Sequence, residues 1–507
     1  MNDPEYTHQA RWDEPLITEL INTGKRCYIP KRFQYDKDIA IPDNLLRKTE
    51  LRLPEVSELE LVRHVVRLSQ MNYGVDLGPV PLGSCTMKYN PKVNETLVRY
   101  PEFSMQHPLQ PEETVQGTLK AMYLLGEALK SLTGFTGITL QPAAGAHGEF
   151  TGVLLIRAYH MLNGETKRDE MLIPDSAHGT NPASSVMAGF KAIEIPSDEK
   201  GRIDLEALES ALSERTAGMM ITNPNTLGIF ESNIMDINKK IHDAGGLVYL
   251  DGANFNGIMG VAKPADMGFD VMHINLHKTF ATPHGGGGPG SGVVLVNDKL
   301  KQFLPTPIIS YDKEKDKYYF DYNISHSIGH VHGYHGNIAV ILRALAYIAR
   351  MGGEGLREAC LTAVTNANYL MHKVMHEDGL ELPQDPSIPR KHEFVVSASP
   401  LLRETGVSAL DIAKRLLDYK LHAPTIYFPL IVHEALMIEP TETEPLSILN
   451  EMADAIKNIL KEAKENPELL HEAPHTVAGY RLDEATLAKH PILSAKMLEK
   501  IKPQWEL

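Results

Sequence analysis

The central part of the chain alternates between short apolar runs and segments with helical spacing. Runs of almost uninterrupted apolar residues predict buried strands at 171–174, 192–196, 218–223, 247–251, 271–275 and 292–296. Amphipathic segments predict helices at 111–132, after Gly145, at 204–213 and at 233–244. Short apolar strands separated by helices are typical of a buried, mainly parallel sheet. The pattern therefore predicts an α/β fold with a large doubly wound sheet.

The N-terminal part follows a different pattern. The first stretch, to about residue 55, has no sustained period, which predicts an extended arm. Ser57 and Glu60 then match a capping box in front of a helix that ends near Gly74. Residues 75–110 are dense in Pro and Gly and predict an irregular segment. A loop of this length with small polar residues such as Ser84 and Cys85 favours a functional role.

Beyond about residue 350 the pattern changes again. Two strand-like runs, at 394–399 and 435–440, lie among helical segments at 354–376, 408–419 and 446–465, and a helix of about 337–350 precedes them. We therefore predict three regions, which are an N-terminal arm and irregular segment (1–110), a large domain (111–350) and a smaller C-terminal α+β domain (351–507).

The charge balance narrows the classes of function. The 507 residues include 50 Lys+Arg and 65 Asp+Glu, which gives a formal net charge of −15. A chain with this charge and no Lys/Arg-rich run lacks the basic field that binds nucleic acid or an anionic membrane. Three scattered cysteines are too few for a disulfide framework. With no apolar stretch long enough to span a membrane, the sequence predicts a soluble cytoplasmic protein, and its size favours an enzyme.

The candidate chemistry begins at the segment NLHKTF (275–280), directly after a predicted strand. The lysine of this segment is Lys278, and a lysine at the end of a buried strand is a candidate for the amine nucleophile that forms a Schiff base. The alternative is a lysine whose side chain extends from the strand end into solvent. The following run Gly285–Gly288 does not indicate nucleotide binding, because no Gly-Lys-Ser/Thr sequence follows it.

Asp251 ends the preceding predicted strand, and ligands in such folds bind at the carboxyl ends of the strands. An aspartate there can pair with a pyridinium nitrogen. An enzyme that uses pyridoxal 5'-phosphate (PLP) needs both a lysine for covalent attachment and a carboxylate that keeps the ring nitrogen protonated. Either residue alone is weak evidence, whereas Asp251 and Lys278 together predict PLP as the cofactor.

Three further segments follow predicted strands. Residues 142–149 form a small-residue turn that runs into a helix, which predicts either a phosphate site made of backbone N–H groups or an ordinary glycine turn. His178 could stack on a pyridine ring or be merely structural. The segment Thr222–Thr226 carries amide side chains that could reach the phenolic oxygen of the cofactor.

Several longer motifs carry a resemblance to a known family. They are LGSCTMKYNP, AAGAHGE, SAHGTNPAS, TNPNTLGIFE, DGANFNG, NLHKTF with its glycine run, and LMIEPTETEP. Over residues 60–450 the chain resembles the PLP-dependent P-protein of the glycine cleavage system, and best the second subunit of its two-subunit bacterial and archaeal form. The resemblance implies a fold-type I, aspartate-aminotransferase-like enzyme.

The resemblance also implies roles for individual residues. Lys278 would be the Schiff-base lysine and Asp251 the partner of the ring nitrogen, and either His178 or a histidine of 326–335 is the candidate for returning the lysine proton. Ala253 and His178 would pack against the two faces of the ring. The remaining implied cofactor contacts are Ala144, Gly145 and Ala146 at the phosphate, with help from Thr279 or His277, and Asn223 at the phenolic oxygen.

One segment departs from the family pattern. Where basic residues are expected before a Tyr-Gly-Asn sequence, this chain has His330, His332 and His335. If those basic residues contact the phosphate or the carboxylate of glycine, histidines would do so as cations only when protonated, near or below pH ~6.5. A metal cluster is an alternative, but no carboxylate or cysteine in ligand spacing accompanies them.

The implied function is decarboxylation of glycine with transfer of the aminomethyl group to the lipoyl arm of the carrier H-protein. The implied partner is a homologous first subunit in an α2β2 assembly. Another fold-type I amino-acid decarboxylase is an alternative, and so is a desulfurase with Cys85 as its catalytic thiol. A non-catalytic scaffold subunit is a further alternative, which the presence of both Lys278 and Asp251 disfavours.

Overall fold

A seven-stranded sheet forms the centre of the molecule. The computed structural model describes residues 10–20, 24–29, 41–49, 53–107, 109–284, 290–494 and 496–497. The sheet has the strand order β1-β7-β6-β5-β4-β2-β3, in which β2 to β6 are parallel and β7 is antiparallel to both of its neighbours. Its strands are β1 (Gly137–Thr139), β2 (Glu170–Pro174), β3 (Lys191–Ile195), β4 (Thr216–Thr222), β5 (Leu247–Gly252), β6 (Val271–Asn275) and β7 (Gly292–Val296). The predicted, mainly parallel sheet is confirmed.

Helices pack on this sheet and also make up much of the C-terminal part. In the described residues they are α1 (Glu58–Gln70), α2 (Lys92–Val98), α3 (Pro101–Ser104), α4 (Gln116–Thr133), α5 (Gly145–Leu162), α6 (Thr180–Met187), α7 (Leu205–Ala211), α8 (Ile234–Asp243), α9 (Leu276–Thr279), α10 (Ile338–Val374), α11 (Ser399–Thr405), α12 (Ala409–Asp418), α13 (Leu446–Glu465), α14 (Pro467–His471) and α15 (Glu484–Lys489).

The four central strands β4 to β7 are buried at every position, so the middle of the sheet is covered on both faces. On β5, Val248 and Leu250 join one hydrophobic cluster, which includes residues of α4, α8 and α10. Leu247 and Tyr249 join a second cluster with residues of α5. Successive side chains of a strand point to opposite faces, so a run such as LVYLD serves both cores. This is the doubly wound arrangement that the sequence predicts.

The C-terminal part has a core of its own. An antiparallel sheet has the order β10-β12-β11, with β10 (Phe394–Ser397), β11 (Thr425–Ile426) and β12 (Ala435–Ile438). These strands pack with α12, α13 and the C-terminal half of α10 in a separate hydrophobic cluster. The helices predicted at 337–350 and 354–376 are joined in α10, with a break at Gly352 (φ 63°, ψ 176°). The exact boundaries of the three regions stay a prediction.

Some expectations need correction. The segment 75–110 is not wholly irregular, because it contains α2 and α3, and the helix expected from residue 111 begins at Gln116. A hairpin of β8 (Ile308–Asp312) and β9 (Lys317–Asp321) was not predicted, since its residues are half-buried and carry no apolar run. The run Gly285–Gly288 lies outside the described residues.

The capping box at the start of α1 is confirmed. The Ser57 N–H donates to Glu60 Oε2 at 2.9 Å, and the Ser57 hydroxyl oxygen accepts from the Glu60 N–H. In the described part of the chain, no helix is both long and apolar enough to cross a membrane.

Candidate active site

A cavity of about 250 Å³ lies at the carboxyl ends of the central strands. It is lined by Ser84, Ala144, Gly145, Ala146, Glu149, His178, Thr180, Thr222, Thr226, Asp251, Ala253, Asn254, Asn275, His277 and Lys278. Most of the residues predicted for the site therefore meet in one place. Two predicted residues, Asn223 and Thr279, are buried next to the cavity but do not line it.

Asp251 is a buried anion at the end of β5. Its side chain accepts hydrogen bonds from the Ala253 N–H at 2.9 Å and from the Asn181 side-chain amide at 3.0 Å. Burial by itself would raise the pKa of Asp251, but the charges of His273 and Lys278 together with these hydrogen bonds hold the pKa below its ordinary value. Asp251 is therefore ionised at neutral pH, as a partner for a protonated ring nitrogen must be.

Glu149 on α5 shares Asn181 with Asp251 but has the opposite protonation. The Asn181 amide donates to Glu149 at 2.8 Å, and the Thr180 hydroxyl donates to Glu149 at 2.9 Å. Burial, and then the charge of Asp251, raise the pKa of Glu149 to about 8. Two neighbouring carboxylates whose pKa values move apart in this way are typical of a site that controls protonation.

Tyr249 and His273 are a buried pair next to Asp251. The Tyr249 hydroxyl and His273 Nδ1 are 2.7 Å apart, and both side chains are completely buried. The other ring nitrogen of His273 lies 3.5 Å from Asp251 Oδ1. The contact with Tyr249 fixes the orientation of the imidazole, so that this nitrogen faces the carboxylate.

The N-terminus of α5 forms another part of the cavity wall. Ala144 is the N-cap residue, and the first N–H groups of a helix attract anions. A Cβ atom on Gly145 would lie 2.4 Å from Asn275 Nδ2, so only glycine lets the helix come this close to the end of β6. Ala144, Gly145 and Ala146 therefore lie where the first N–H groups of α5 have no partner within the helix. Their contact with a phosphate stays a prediction.

Lys278 lies on the short helix α9, directly after β6, and its side chain is half-buried. Its neighbour His277 is buried, and burial followed by the charges of His284 and Lys278 lowers the pKa of His277 to about 3. His277 is thus a neutral ring at neutral pH. It could offer a hydrogen bond to a phosphate but no charge.

His178 and Ala253 both line the cavity. The ring of His178 packs edge-on against Phe428, with centroids 5.4 Å apart, and its Nδ1 is 2.9 Å from the Thr180 hydroxyl. Loss of water around the ring lowers the pKa of His178. The assignment of the two residues to the two faces of a ring stays a prediction.

Several buried polar atoms at the cavity lack a hydrogen-bond partner. They are Thr222 Oγ1, Asn223 Nδ2, Asn275 Oδ1 and Thr279 Oγ1. Buried polar groups are normally hydrogen-bonded, so unpaired atoms on two lining residues, Thr222 and Asn275, and on two residues beside the cavity indicate a polar ligand. Donors at the helix N-terminus, an ionised Asp251 and a lysine fit the phosphate, the ring nitrogen and the aldehyde of PLP.

The three histidines that replace the expected basic residues do not converge. The ring centroid of His335 is 4.0 Å from that of Phe320, and the centroid of His330 is 6.4 Å from that of Tyr322. The centroid of His332 is 6.1 Å from that of His147, which follows the phosphate-site turn. The three rings therefore have different neighbours, which disfavours the alternative of a metal cluster.

Comparisons with known proteins show the class of enzyme to which the chain belongs. A model described as aminotransferase class-V matches residues 154–326, and one described as glycine dehydrogenase, C-terminal domain, matches residues 359–475. The fold is similar to a crystal structure of glycine decarboxylase (P-protein) of the glycine cleavage system in inhibitor-bound form. The TM-score is 0.70 at 20% identity over 83% of this chain and 93% of that chain. A cysteine desulfurase from Escherichia coli matches with a TM-score of 0.58 at 14% identity, over 76% of this chain and 95% of that one. The class is that of the fold-type I enzymes, whose cofactor is PLP.

Closer relatives give the family. The chain is 59% identical over 501 residues to the probable glycine dehydrogenase (decarboxylating) subunit 2 of Thermococcus kodakarensis, with 99% of both chains covered. The protein of the same name from Caldanaerobacter subterraneus is 53% identical, over 94% of this chain and 98% of its own. The chain belongs to the family of glycine dehydrogenase (decarboxylating) subunit 2.

Sequence reasoning missed several residues of the site. Glu149, Asn181 and Asn254 lie inside motifs that carry the resemblance, but their side chains were given no role. Glu393 directly precedes the strand-like run predicted at 394–399, and Glu439 lies near the end of the run predicted at 435–440. A charged residue next to an apolar strand is the signal that could have identified them.

We predict that the cofactor is attached to Lys278. Reduction of the purified protein with borohydride should fix the cofactor covalently on the peptide that contains Lys278, because a reduced Schiff base no longer hydrolyses. Lys278→Ala should lose this label and the visible absorbance, whereas the exposed Lys299→Ala should keep both. A labelled peptide in Lys278→Ala would contradict the assignment.

We also predict a pH effect from Glu149. Its pKa is raised from 4.5 to about 8 in the folded chain, so its contribution to stability is lost as the pH rises through that range. In Glu149→Gln the melting temperature of the cofactor-free chain should fall less between these pH values, by an amount equivalent to roughly 1–3 kcal/mol. The exposed Glu199→Gln removes the same charge and should follow the parent. Identical pH profiles for Glu149→Gln and parent would show that Glu149 is ionised in the fold.

Proposed function

We propose that this chain decarboxylates glycine and transfers the aminomethyl group to the lipoyl arm of the carrier H-protein. The observation that carries the proposal is the presence of Lys278 and an ionised, buried Asp251 in one cavity of a chain of this family. PLP, when bound, supplies an electron sink for the electron pair that remains on the substrate when carbon dioxide leaves.

The groups that line the cavity have separate roles in this reaction. Lys278 provides the amine for covalent attachment, and the N-terminus of α5 holds the phosphate through backbone N–H groups. Asp251 keeps a proton on the ring nitrogen, and the Asn181 amide and the Ala253 N–H hold its carboxylate in place. His178, whose pKa is lowered by burial, is the candidate that returns a proton to the Lys278 amine.

The desulfurase alternative has less support. A desulfurase needs a reactive thiolate, but burial raises the pKa of Cys85, and its neighbour Ser84 rather than Cys85 lines the cavity. A non-catalytic scaffold subunit has no need of a polar cavity that contains an ionised aspartate and a lysine. We therefore favour glycine as the substrate.

We propose that the partner is a first subunit, in an α2β2 assembly, and that it packs on α1. The relatives are named as a second subunit, which implies a first. Within the described residues α1 buries only His64. Leu59, Val62, Val65 and Val66 are between 47% and 56% exposed. An apolar stripe of this kind on one helix is typical of a protein–protein interface.

A cytoplasmic location is part of the proposal. It is supported by the three cysteines, Cys27, Cys85 and Cys360, all of which are free thiols, as expected in a reducing compartment.

The function is tested by reconstitution. The chain is co-expressed with the first subunit and supplied with PLP and lipoylated H-protein, and the release of labelled carbon dioxide from carboxyl-labelled glycine is measured. The proposal predicts release that depends on the H-protein. Sulfide release from cysteine without carbon dioxide from glycine would favour the desulfurase alternative instead.

We predict that Asp251→Asn weakens catalysis more than cofactor binding. Loss of the charge that keeps the ring nitrogen protonated should cost about 2–4 kcal/mol, or about 30- to 1000-fold in kcat, at nearly full PLP occupancy. Asp270→Asn is a matched control, because Asp270 is equally buried but lies before β6, at the other end of the sheet. It should lose stability rather than turnover per bound cofactor. A rate for Asp251→Asn within about threefold of the parent would contradict the role.

We predict that charge on the apolar stripe of α1 separates the subunits. Val62→Glu and Val66→Glu should weaken binding of the first subunit at least about tenfold, because a carboxylate would be buried in an apolar interface. Arg63→Glu, on the same helix and also exposed, is the control and should have a smaller effect. Analytical ultracentrifugation of the co-expressed pair measures this. Equal dissociation by all three variants would exclude the stripe as the interface.

A further inference from the structure

Two carboxylates of the C-terminal part are completely buried beside the cavity. Glu393 directly precedes β10 and Glu439 directly follows β12, and both are 0% exposed. A buried carboxylate is costly unless hydrogen bonds satisfy its oxygens. The partners of these oxygens therefore indicate what the two residues do.

All four carboxylate oxygens accept hydrogen bonds, and most of these come from one short turn of the N-terminal part. Glu393 accepts from the Ser84 N–H at 2.7 Å and from the Asn254 side-chain amide at 3.0 Å. Glu439 accepts from both the N–H and the hydroxyl of Thr86, at 2.9 Å and 2.6 Å. The two glutamates thus connect the C-terminal part to the turn and to the cavity wall.

The turn, Gly83–Thr86, has an unfavourable backbone. Ser84 and Thr86 have φ values of 59° and 49°, in the left-handed region that residues with a Cβ atom rarely adopt. Each of these two residues donates its N–H to one of the buried glutamates. The turn is also tied by the Gly83 N–H, which donates to the Met437 carbonyl at 3.2 Å, and by the Thr425 hydroxyl, which donates to the Gly83 carbonyl at 2.9 Å.

A metal ion is a weaker explanation for these carboxylates. Ligand atoms of Glu393, Glu439 and His392 lie within 4.8 Å of one another, and both ring nitrogens of His392 lack a hydrogen-bond partner. However, each glutamate oxygen already accepts a hydrogen bond from the chain. The positive charges of Lys278 and Lys88 also act on this position and would repel a cation.

The turn brings one side chain to the cavity. Ser84 lines it together with Lys278 and Ala253. Among the lining residues that the structure describes, Lys278 is the only lysine, and no arginine lines the cavity. A substrate carboxylate must therefore be bound largely by neutral donors, and a hydroxyl on a rigid turn is such a donor.

We propose that Glu393 and Glu439 are positioning residues that hold the Gly83–Thr86 turn in its left-handed conformation, so that the Ser84 hydroxyl donates a hydrogen bond to the carboxylate of the amino-acid substrate. The identity of that substrate, glycine, rests on the proposed function. The positioning by the two glutamates does not, and it has a readout of its own.

The test compares Glu393→Gln, Glu439→Gln and Ser84→Ala with the parent, all as the PLP-bound complex with the first subunit. A glutamine keeps the size but has a single acceptor oxygen, so its amide group would oppose one of the donors that a glutamate satisfies. Both glutamine variants should raise the hydrogen–deuterium exchange rate of peptide 82–88 and raise the KM for glycine about 10- to 100-fold, with the cofactor absorbance retained. Ser84→Ala should raise KM similarly but leave exchange unchanged.

Glu434→Gln is the matched control. Glu434 is a buried glutamate with a φ of 49° in the same part of the chain, but it accepts from the Ala409 N–H at the start of α12, away from the cavity. It should leave both KM and the exchange of peptide 82–88 unchanged. Unchanged exchange in Glu393→Gln and Glu439→Gln, or the same increase in Glu434→Gln, would overturn the positioning role. An unchanged KM in Ser84→Ala would overturn the substrate contact.

If the parent complex does not turn over glycine, the proposed function fails. The exchange measurement then still decides whether the two glutamates hold the turn.

Discussion

Asp251 can remain ionised inside the sheet only because its neighbours supply hydrogen bonds and positive charge. The aspartate is 2% exposed, and an isolated carboxylate at such a position would take up a proton. The Ala253 N–H and the Asn181 amide donate to it, and Lys278 lies close enough for its charge to lower the pKa. The strand order places these groups together, because β5 and β6 are parallel neighbours whose carboxyl ends meet.

Other buried groups complete the cavity around the charge of Asp251. Glu149 shares Asn181 with Asp251, and Glu149 is the carboxyl group that stays protonated, because burial and then the charge of Asp251 raise its pKa. Gly145 lets α5 approach β6, which brings the helix N-terminus to the same cavity. On the remaining side, Glu393 and Glu439 hold a strained turn against the cavity wall. The cavity thus depends on several buried carboxyl groups as well as on the close approach of α5 to β6.

The parts of the site that follow a strand could be predicted from sequence. An apolar strand ends at a definite residue, so Asp251, Lys278 and the turn before α5 were assigned to one edge of the sheet. Contacts between distant segments could not be predicted in this way. Nothing in the segment around Ser84 indicates that its N–H groups meet Glu393 and Glu439, because that depends on how the C-terminal part packs. The hairpin of β8 and β9 was missed because half-buried strands carry no continuous apolar run.

The central claim is that an ionised Asp251 keeps the ring nitrogen of bound PLP protonated. The most direct measurement is the ¹⁵N NMR chemical shift of that nitrogen, in PLP labelled at the ring nitrogen and bound to the protein, recorded across the pH range in which the chain stays folded. The account predicts the shift of a protonated pyridinium throughout this range. A shift typical of a neutral pyridine at neutral pH would contradict it.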